Sequence, residues 1–142
     1  MECEFATINS NKQEIKEIFE TTKTIAIIGC SPDTSKASNK VAAYLKDAGF
    51  KIVPVYPKED EILGEKVYRS LSDIPFKIDM VDIFRKPEVI EKVVDEAIKR
   101  GDINTIWTQL GLVNNDAAKK AKQAGMKVVQ NNCTKIEHAA LF

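Results

Sequence analysis

A glycine followed by a hydroxyl-rich loop stands at the end of the first apolar run of the chain, in the segment GCSPDTSKAS (29–38). Gly29 lets the backbone pass close to a ligand, and Lys36 adds a positive charge. The hydroxyl groups belong to Ser31, Thr34, Ser35 and Ser38. The helix that follows would direct its unpaired N–H groups and the positive end of its dipole at the same place. The segment predicts an anion site, with a loop that only caps a helix as the alternative.

The loop lacks the complete glycine pattern of dinucleotide-binding proteins. The pattern G-x-G-x-x-G requires two more glycines after Gly29, and residues 30–34 supply none. The same fingerprint places an acidic residue near the end of the second strand to hold a ribose diol, but this chain has Lys58 there. A lysine attracts a phosphorylated ribose. The sequence therefore disfavours NAD and leaves NADP and coenzyme A, unless Lys58 is only a solvated turn residue beside Glu59 and Asp60.

The other predicted strand ends add candidate ligand contacts. Phe84 could stack on a purine, Arg85 could pair with a phosphate, and Gln109 could hydrogen-bond an amide or hydroxyl. The alternatives are a core Phe84, a surface Arg85 and a Gln109 that caps its turn. The candidate binding residues are Gly29, Cys30, Ser31, Lys36, Ser38, Val55, Tyr56, Pro57, Lys58, Ile83, Phe84, Arg85, Gln109 and Gly111.

No group of residues predicts catalysis or metal binding. Cys3, Cys30 and Cys133 are far apart and form no CxxC pair, which disfavours a disulfide framework and a zinc site. His138 is the single histidine and lies near Cys133, but no third group is placed to orient the pair, so we expect a structural role. Cys30 precedes a predicted helix start and Lys36, which would lower its pKa and make it a reactive thiol. A small residue packed in a tight loop is the favoured alternative.

Apolar runs and helical patterns alternate along the chain with short connections. Strands are predicted near 24–29, 51–55, 78–84, 104–109 and 127–130, with a minor one near Val67. Helices are predicted at 10–20, 38–49, 87–100 and 114–125, with a helical turn at 70–74 and a short helix or packed coil at 133–142. Ser10 and Gln13 would form the first capping box. Pro54 cannot donate to a ladder and should lie at a strand end or on an unpaired side.

This alternation predicts an α/β fold, namely a Rossmann-like three-layer α/β/α sandwich with a mostly parallel five-stranded sheet. We predict the strand order 3-2-1-4-5. Ligands of such sheets bind beyond the carboxyl ends of the strands at the switch point. The predicted order places that point between the first and fourth strands.

The size and charge of the chain restrict its class. We treat residues 1–142 as one domain, with 1–23 as a helical extension packed on it. Lys and Arg number 21 and Asp and Glu number 21, so no sequence-wide attraction to nucleic acid or anionic lipid is expected. The first residues lack a signal-peptide pattern and no apolar run reaches the length of a membrane span. We expect a cytoplasmic protein with a small-molecule ligand; a protein partner is also possible.

Six motifs, taken in order over residues 25–138, resemble one known family. They are GCSPD, PVYPK, ILGEKVYRSLSDIP, VDIFRKPE, WTQLG and the CxKIEH ending. Together they are similar to the small bacterial and archaeal CoA-binding proteins, which are stand-alone versions of the CoA-binding domain at the start of the succinyl-CoA synthetase α-subunit. Cys30 and Tyr56 replace the Ala and Asn that are common in those relatives.

The resemblance implies where coenzyme A would lie. Its phosphates and adenosine would lie over residues 29–38, and residues 55–58 would flank the ribose phosphate. Residues 83–85, with Gln109 and Gly111, would line the remaining cleft. The expected function is a CoA-binding or acyl-CoA-binding module without catalysis of its own. A small NADP-binding oxidoreductase, or a subunit of one, is the alternative.

Overall fold

Strands and helices alternate through residues 5–142, which a computed structural model describes. The helices are α1 (Lys12–Thr21), α2 (Ala37–Asp47), α3 (Pro87–Arg100), α4 (Asn115–Gln123) and α5 (Thr134–Leu141). The strands are β1 (Thr24–Ile28), β2 (Lys51–Val55), β3 (Glu61–Ile62), β4 (Glu65–Lys66), β5 (Met80–Ile83), β6 (Thr105–Thr108) and β7 (Lys127–Val129). A 3-10 turn covers Leu71–Asp73. Cys3 and the first residues of the predicted extension lie outside the described residues.

Five of the strands form a parallel sheet in the order β2-β1-β5-β6-β7. The predicted fold class is confirmed, but the predicted order 3-2-1-4-5 is wrong. Counted along the chain, the main strands lie in the order 2-1-3-4-5. The edge position of β2 fits Pro54, whose carbonyl faces outward and accepts from Tyr68 N at 3.0 Å. An additional full strand on that side would meet a nitrogen that has no hydrogen to donate.

A short segment covers the outer side of β2 instead. Tyr68 forms a parallel bridge with Val55, and Tyr56 N donates to Tyr68 O at 3.0 Å. The preceding β3 and β4 pair antiparallel, where the sequence predicted one minor strand. The 3-10 turn follows within the predicted helical turn at 70–74.

Apolar side chains on both faces make the sheet the middle of three layers. Ala26 and Ile28 of β1 pack in one cluster with residues of α3, α4 and the 3-10 turn. Ile25 and Ile27 pack in the other cluster with residues of α1, α2 and α5. A strand that is apolar throughout is thus buried on both faces, as parallel strands between helices are.

The first helix begins with a different cap from the one the sequence predicted. Asn11 Oδ1 accepts from Glu14 N, and Glu14 Oε1 accepts from Asn11 N, each at 2.9 Å. The capping box therefore joins Asn11 to Glu14, and the predicted pair Ser10 and Gln13 is wrong. Ser10 Oγ donates instead to Val128 O at 2.7 Å and ties the chain to β7.

Candidate functional site

The carboxyl ends of the parallel strands meet at one edge of the sheet, and the switch point lies between β1 and β5. From β1 the chain crosses to β2 on one side, and from β5 it crosses to β6 on the other. The crevice therefore lies between the first and third main strands, one strand away from the predicted position between the first and fourth. Gly29 follows β1 and residues 84–85 follow β5, so these residues lie at the usual ligand position of such a sheet.

Gly29 lies where a side chain would obstruct the crevice. Its φ of 84° is in the left-handed region, and its N–H donates to Val55 O at 2.9 Å. A Cβ here would lie 2.8 Å from Arg85 Cδ and 3.0 Å from Phe84 O. Glycine therefore allows the loops after β1, β2 and β5 to meet.

Hydrogen bonds within the 29–38 loop hold its shape. Ser38 Oγ accepts from Ser31 N at 3.0 Å, and Asn39 Nδ2 donates to Ser31 O at 2.9 Å. Asp33 Oδ1 accepts from Ser35 N at 2.9 Å and from Ser35 Oγ at 2.7 Å. These bonds from Ser35 lower the pKa of Asp33. The buried Ser38 thus positions the loop, rather than offering a free hydroxyl to a ligand.

Three helices begin at this edge without a side-chain cap. The N-cap residues of α2, α3 and α5 are Lys36, Lys86 and Cys133, and none of their side chains makes a capping hydrogen bond. Asn114 does cap α4 at the same edge. An uncapped start leaves its first N–H groups for water or a ligand and carries the positive end of the helix dipole. The exposed Lys36 and Lys86 add formal charge to this edge.

A basic cleft of about 140 Å³ lies on the α3 side of Gly29. It contains the cations Arg69, Arg85 and Lys92 and the acid Glu96. Its apolar lining is formed by Ile28, Val55, Leu71, Val89 and Val93. Among residues 5–142, neither Arg85 nor Lys92 takes part in an ion pair. Both charges are therefore available to an anionic ligand.

An apolar cleft of about 210 Å³ lies on the α2 side. It opens between the starts of α2 and α5 and the residues after β5 and β6, and its lining is Ala37, Val41, Phe84, Gln109, Leu110, Leu112 and Cys133. The Leu110 side chain is largely exposed. A ligand in this cleft would therefore remove apolar surface from water.

The predicted binding residues have different positions relative to the clefts. Val55 and Arg85 line the basic cleft, and Phe84 and Gln109 line the apolar cleft. Ile83 is fully buried, so its side chain reaches neither one. Gly111 lies in the turn after β6, where its N–H donates to Asn131 Oδ1 at 2.7 Å. Tyr56, Pro57 and Lys58 form the turn after β2.

Sequence reasoning missed Arg69, which braces the turn that carries Lys58. Arg69 Nη1 donates to the carbonyl oxygens of residues 56, 58 and 59. The predicted minor strand near Val67 was the only signal for this contact, because that strand brings Arg69 alongside the end of β2. The Lys58 side chain is exposed.

Sequence reasoning also missed a carboxyl group buried in the sheet. Asp82 of β5 is fully buried and accepts hydrogen bonds from Gln109 Nε2 and from Thr134 Oγ1, the latter at 2.9 Å. Burial raises the pKa of Asp82 to about 7, although these two bonds act in the opposite direction. The Gln109 amide is therefore engaged inside the protein. An acid within the apolar run MVDIF was the available signal.

The structure disfavours the hypothesis of a reactive Cys30. The residue is fully buried in the cluster on the α2 side of the sheet. Burial, and then the charge of Asp82, raises the pKa of the Cys30 thiol to about 12. Packing in a tight loop, the favoured alternative, is the role the structure shows.

His138 of α5 lies in an aromatic cluster on the side of the sheet covered by α1, α2 and α5. Its ring centroid is 5.2 Å from that of Phe19, 5.5 Å from Phe50 and 4.9 Å from Phe142. Its Nδ1 lies 2.9 Å from the Tyr44 hydroxyl, and burial lowers the pKa of His138. These contacts agree with the structural role expected from the sequence.

Residues 5–142 contain no group of three or more His, Cys, Asp or Glu side chains that could hold a metal ion. No helix in the same range is long and apolar enough to cross a bilayer.

A Rossmann-like sheet whose switch-point crevice is surrounded by cations and uncapped helix starts has the architecture of a nucleotide-binding domain. Residues 23–139 match the family described as the CoA binding domain, and the chain belongs to that family.

Relatives of two sizes share this domain. The uncharacterized protein YneT of Bacillus subtilis is 40% identical over 131 residues, which cover 92% of this chain and 96% of that protein. The ADP-forming acetate–CoA ligase of Methanocaldococcus jannaschii is 32% identical over 118 residues, which cover 78% of this chain but 17% of the ligase. A hypothetical protein from Pyrococcus horikoshii has a structure with a TM-score of 0.90 at 40% identity, covering 99% of both chains. The chain is thus similar to small proteins over nearly their whole length and to a small part of the length of CoA ligases.

Proposed function

We propose that this protein binds coenzyme A or an acyl-CoA at the carboxyl edge of its sheet and acts as a binding module without catalysis of its own. The observation that carries the proposal is the position of the basic and apolar clefts on either side of Gly29. Coenzyme A has the same polarity, with a phosphorylated nucleotide at one end and a less charged pantetheine arm at the other. Membership of the CoA binding domain family supports the same ligand.

The chemistry of the two clefts favours one orientation of the ligand. The nucleotide end would lie toward the basic cleft, with the phosphate on its ribose near Lys58. The pyrophosphate would lie over Gly29 against the start of α2, whose first N–H groups have no partner within the helix. Ser31 and Lys36 belong to the loop beside that start. The pantetheine arm would then extend along Phe84 into the apolar cleft.

The absence of catalysis is part of the proposal, and three side-chain environments support it. The Cys30 thiol is buried with a raised pKa. His138 is held by aromatic rings and the Tyr44 hydroxyl. Asp82 is enclosed by Gln109 and Thr134. The role would be that of a sensor, carrier or partner subunit, and a cytoplasmic location stays a prediction.

A thermal-shift comparison tests the ligand class. A ligand at 100 times its dissociation constant adds about 2.7 kcal/mol to the free energy of unfolding. We expect stabilisation by coenzyme A and acetyl-CoA, and a smaller effect from NAD, which lacks the ribose phosphate. Stabilisation by NADP alone would overturn the proposal in favour of the oxidoreductase alternative.

Fragments of the ligand test its orientation. Lys58→Ala should weaken binding of both coenzyme A and adenosine 3′,5′-bisphosphate, because both carry the ribose phosphate. Leu110→Asp should weaken coenzyme A alone, because only the arm enters the apolar cleft. Lys127→Ala is a matched charge control, since Lys127 is exposed at the start of β7, on the opposite edge of the sheet. Loss of bisphosphate binding in Leu110→Asp would contradict the proposed direction.

A further inference from the structure

One guanidinium group contacts several carbonyl groups of the turn after β2. Arg69 Nη1 lies 3.2 Å from Tyr56 O, 3.0 Å from Lys58 O and 2.7 Å from Glu59 O. Arg69 Nη2 lies 3.5 Å from Asp60 Oδ1. The carbonyl groups of residues 56, 58 and 59 therefore converge on one cation.

The backbone beside β2 places Arg69 there. Tyr68 N donates to Pro54 O and Tyr56 N donates to Tyr68 O, each at 3.0 Å. This pairing runs the chain parallel to the end of β2, so the next residue, Arg69, lies alongside the turn. Glu59 has a φ of 66°, a left-handed conformation that a non-glycine residue holds only when its surroundings impose it.

The direction of the carbonyl groups determines what the turn presents outward. The peptide bonds of the described chain are all trans, so each C=O points opposite to the N–H of the next residue. With the oxygens of Lys58 and Glu59 turned toward Arg69, the N–H groups of Glu59 and Asp60 point away from it. Successive N–H groups beside a left-handed residue can bind an anion, and Lys58 directly precedes them in the turn.

We propose that Arg69 is the positioning residue for recognition of the ligand's ribose phosphate. By binding the carbonyl oxygens it keeps Lys58 and the N–H groups of Glu59 and Asp60 directed at a phosphate monoester. This assignment rests on the proposed function, since it takes the phosphorylated ribose to lie at this turn. It adds a residue that acts through the turn rather than by its own contact with the ligand.

The test is a double-mutant cycle. For each variant the measured quantity is the preference for coenzyme A over 3′-dephospho-CoA, expressed as the ratio of their dissociation constants. Lys58→Ala should reduce the preference about tenfold, the typical effect of losing a hydrogen bond to a charged group. Arg69→Lys keeps the charge, but its nitrogen ends one bond short of the position of Arg69 Nη1, which makes all three contacts, so it should reduce the preference similarly. The double variant should lose less than the sum of the two single losses, because part of the Arg69 effect passes through Lys58. Fully additive losses would show that Arg69 acts independently of Lys58, and an unchanged preference in Arg69→Lys would show no role; either result overturns the proposal.

Arg100 provides a matched control, because it braces another loop in the same way. Its Nη1 donates to Leu71 O and Ile74 O at 2.9 and 2.7 Å, and its Nη2 donates to Phe76 O at 2.8 Å. Arg100→Lys should leave the preference unchanged even if it lowers stability, since unfolded protein affects both ligands equally. A loss as large as that in Arg69→Lys would mean that any loosened loop has this effect, and would overturn the proposal.

Hydrogen exchange on the unliganded protein separates this proposal from the proposed function. Arg69→Lys should speed exchange of the Tyr56 and Val67 amides, which donate to Tyr68 O and Asp60 O at this turn, and leave α3 protected. Unchanged exchange at the turn would refute the positioning role of Arg69 but would not bear on the proposal that the protein binds coenzyme A. Failure of the wild-type protein to bind coenzyme A would instead refute the proposed function, and this inference with it.

Discussion

Replacement of Asp82 by Asn should make the protein more stable at neutral pH. The carboxyl group is fully buried, with Gln109 and Thr134 as its hydrogen-bond partners. Burial raises its pKa from 3.8 to about 7. Asn resembles the protonated acid, because it carries one acceptor oxygen and one donor group. It should therefore occupy the site without a charge at any pH.

The raised pKa of Asp82 determines the sign and the size of the change in stability. Between about pH 4 and pH 7 the folded protein holds a proton on Asp82 that the unfolded chain has released, so stability falls as pH rises through this window. About three pH units correspond to about 4 kcal/mol. Asp82→Asn removes this loss. The difference in free energy of unfolding between the variant and the wild type should therefore grow by up to about 4 kcal/mol between about pH 4 and pH 7 and stay constant at higher pH.

Urea denaturation at intervals between about pH 4 and pH 8 measures the difference. Asp79→Asn is the control of opposite sign. Burial of Asp79 raises its pKa, but hydrogen bonds from Lys77, Thr24 N and Lys23 N outweigh this and lower it overall. Asp79→Asn should therefore be less stable than the wild type throughout this pH range, and the deficit should shrink only below about pH 4, near the ordinary pKa of 3.8. A difference between Asp82→Asn and the wild type that does not change with pH would refute the reasoning.

Three further predictions follow from the local structure. Gly29→Ala should lower the free energy of unfolding by about 1–3 kcal/mol, because alanine would have a left-handed φ and a close contact with Arg85. Urea denaturation measures the change, and wild-type stability would contradict the account of the crevice. In the folded protein, alkylation should reach Cys133 well before the buried Cys30; peptide mass spectrometry measures both, and equal rates would show that Cys30 is accessible. Asn11→Ala should lower the free energy of unfolding by about 1 kcal/mol, because the helix cap is lost. The melting temperature should fall, and an unchanged melting temperature would argue against the capping box.

The elements of the fold were predictable because their signals are local. The all-apolar run at 25–28 indicates a strand covered on both faces, and Pro87 and Gly101 delimit α3. The strand order was not predicted, since two orders fit the same alternation of strands and helices. Pro54 was the residue that favoured an edge position for the second strand, because a proline cannot donate to a neighbouring strand. In the structure its carbonyl faces outward and accepts from Tyr68 N.

The sequence by itself determined the parallel sheet and the positions of the hydroxyl-rich loop after the first strand and of Lys58, where NAD enzymes keep an acid. Only the tertiary structure decided which strands flank the crevice, that Arg69 braces the Lys58 turn and that Asp82 meets Gln109 and Thr134, which are 27 and 52 positions away along the chain. The physical reason is range. Turn chemistry and hydrophobic periodicity act between near neighbours, whereas burial of a carboxyl group or convergence of carbonyl groups exists only after distant segments pack.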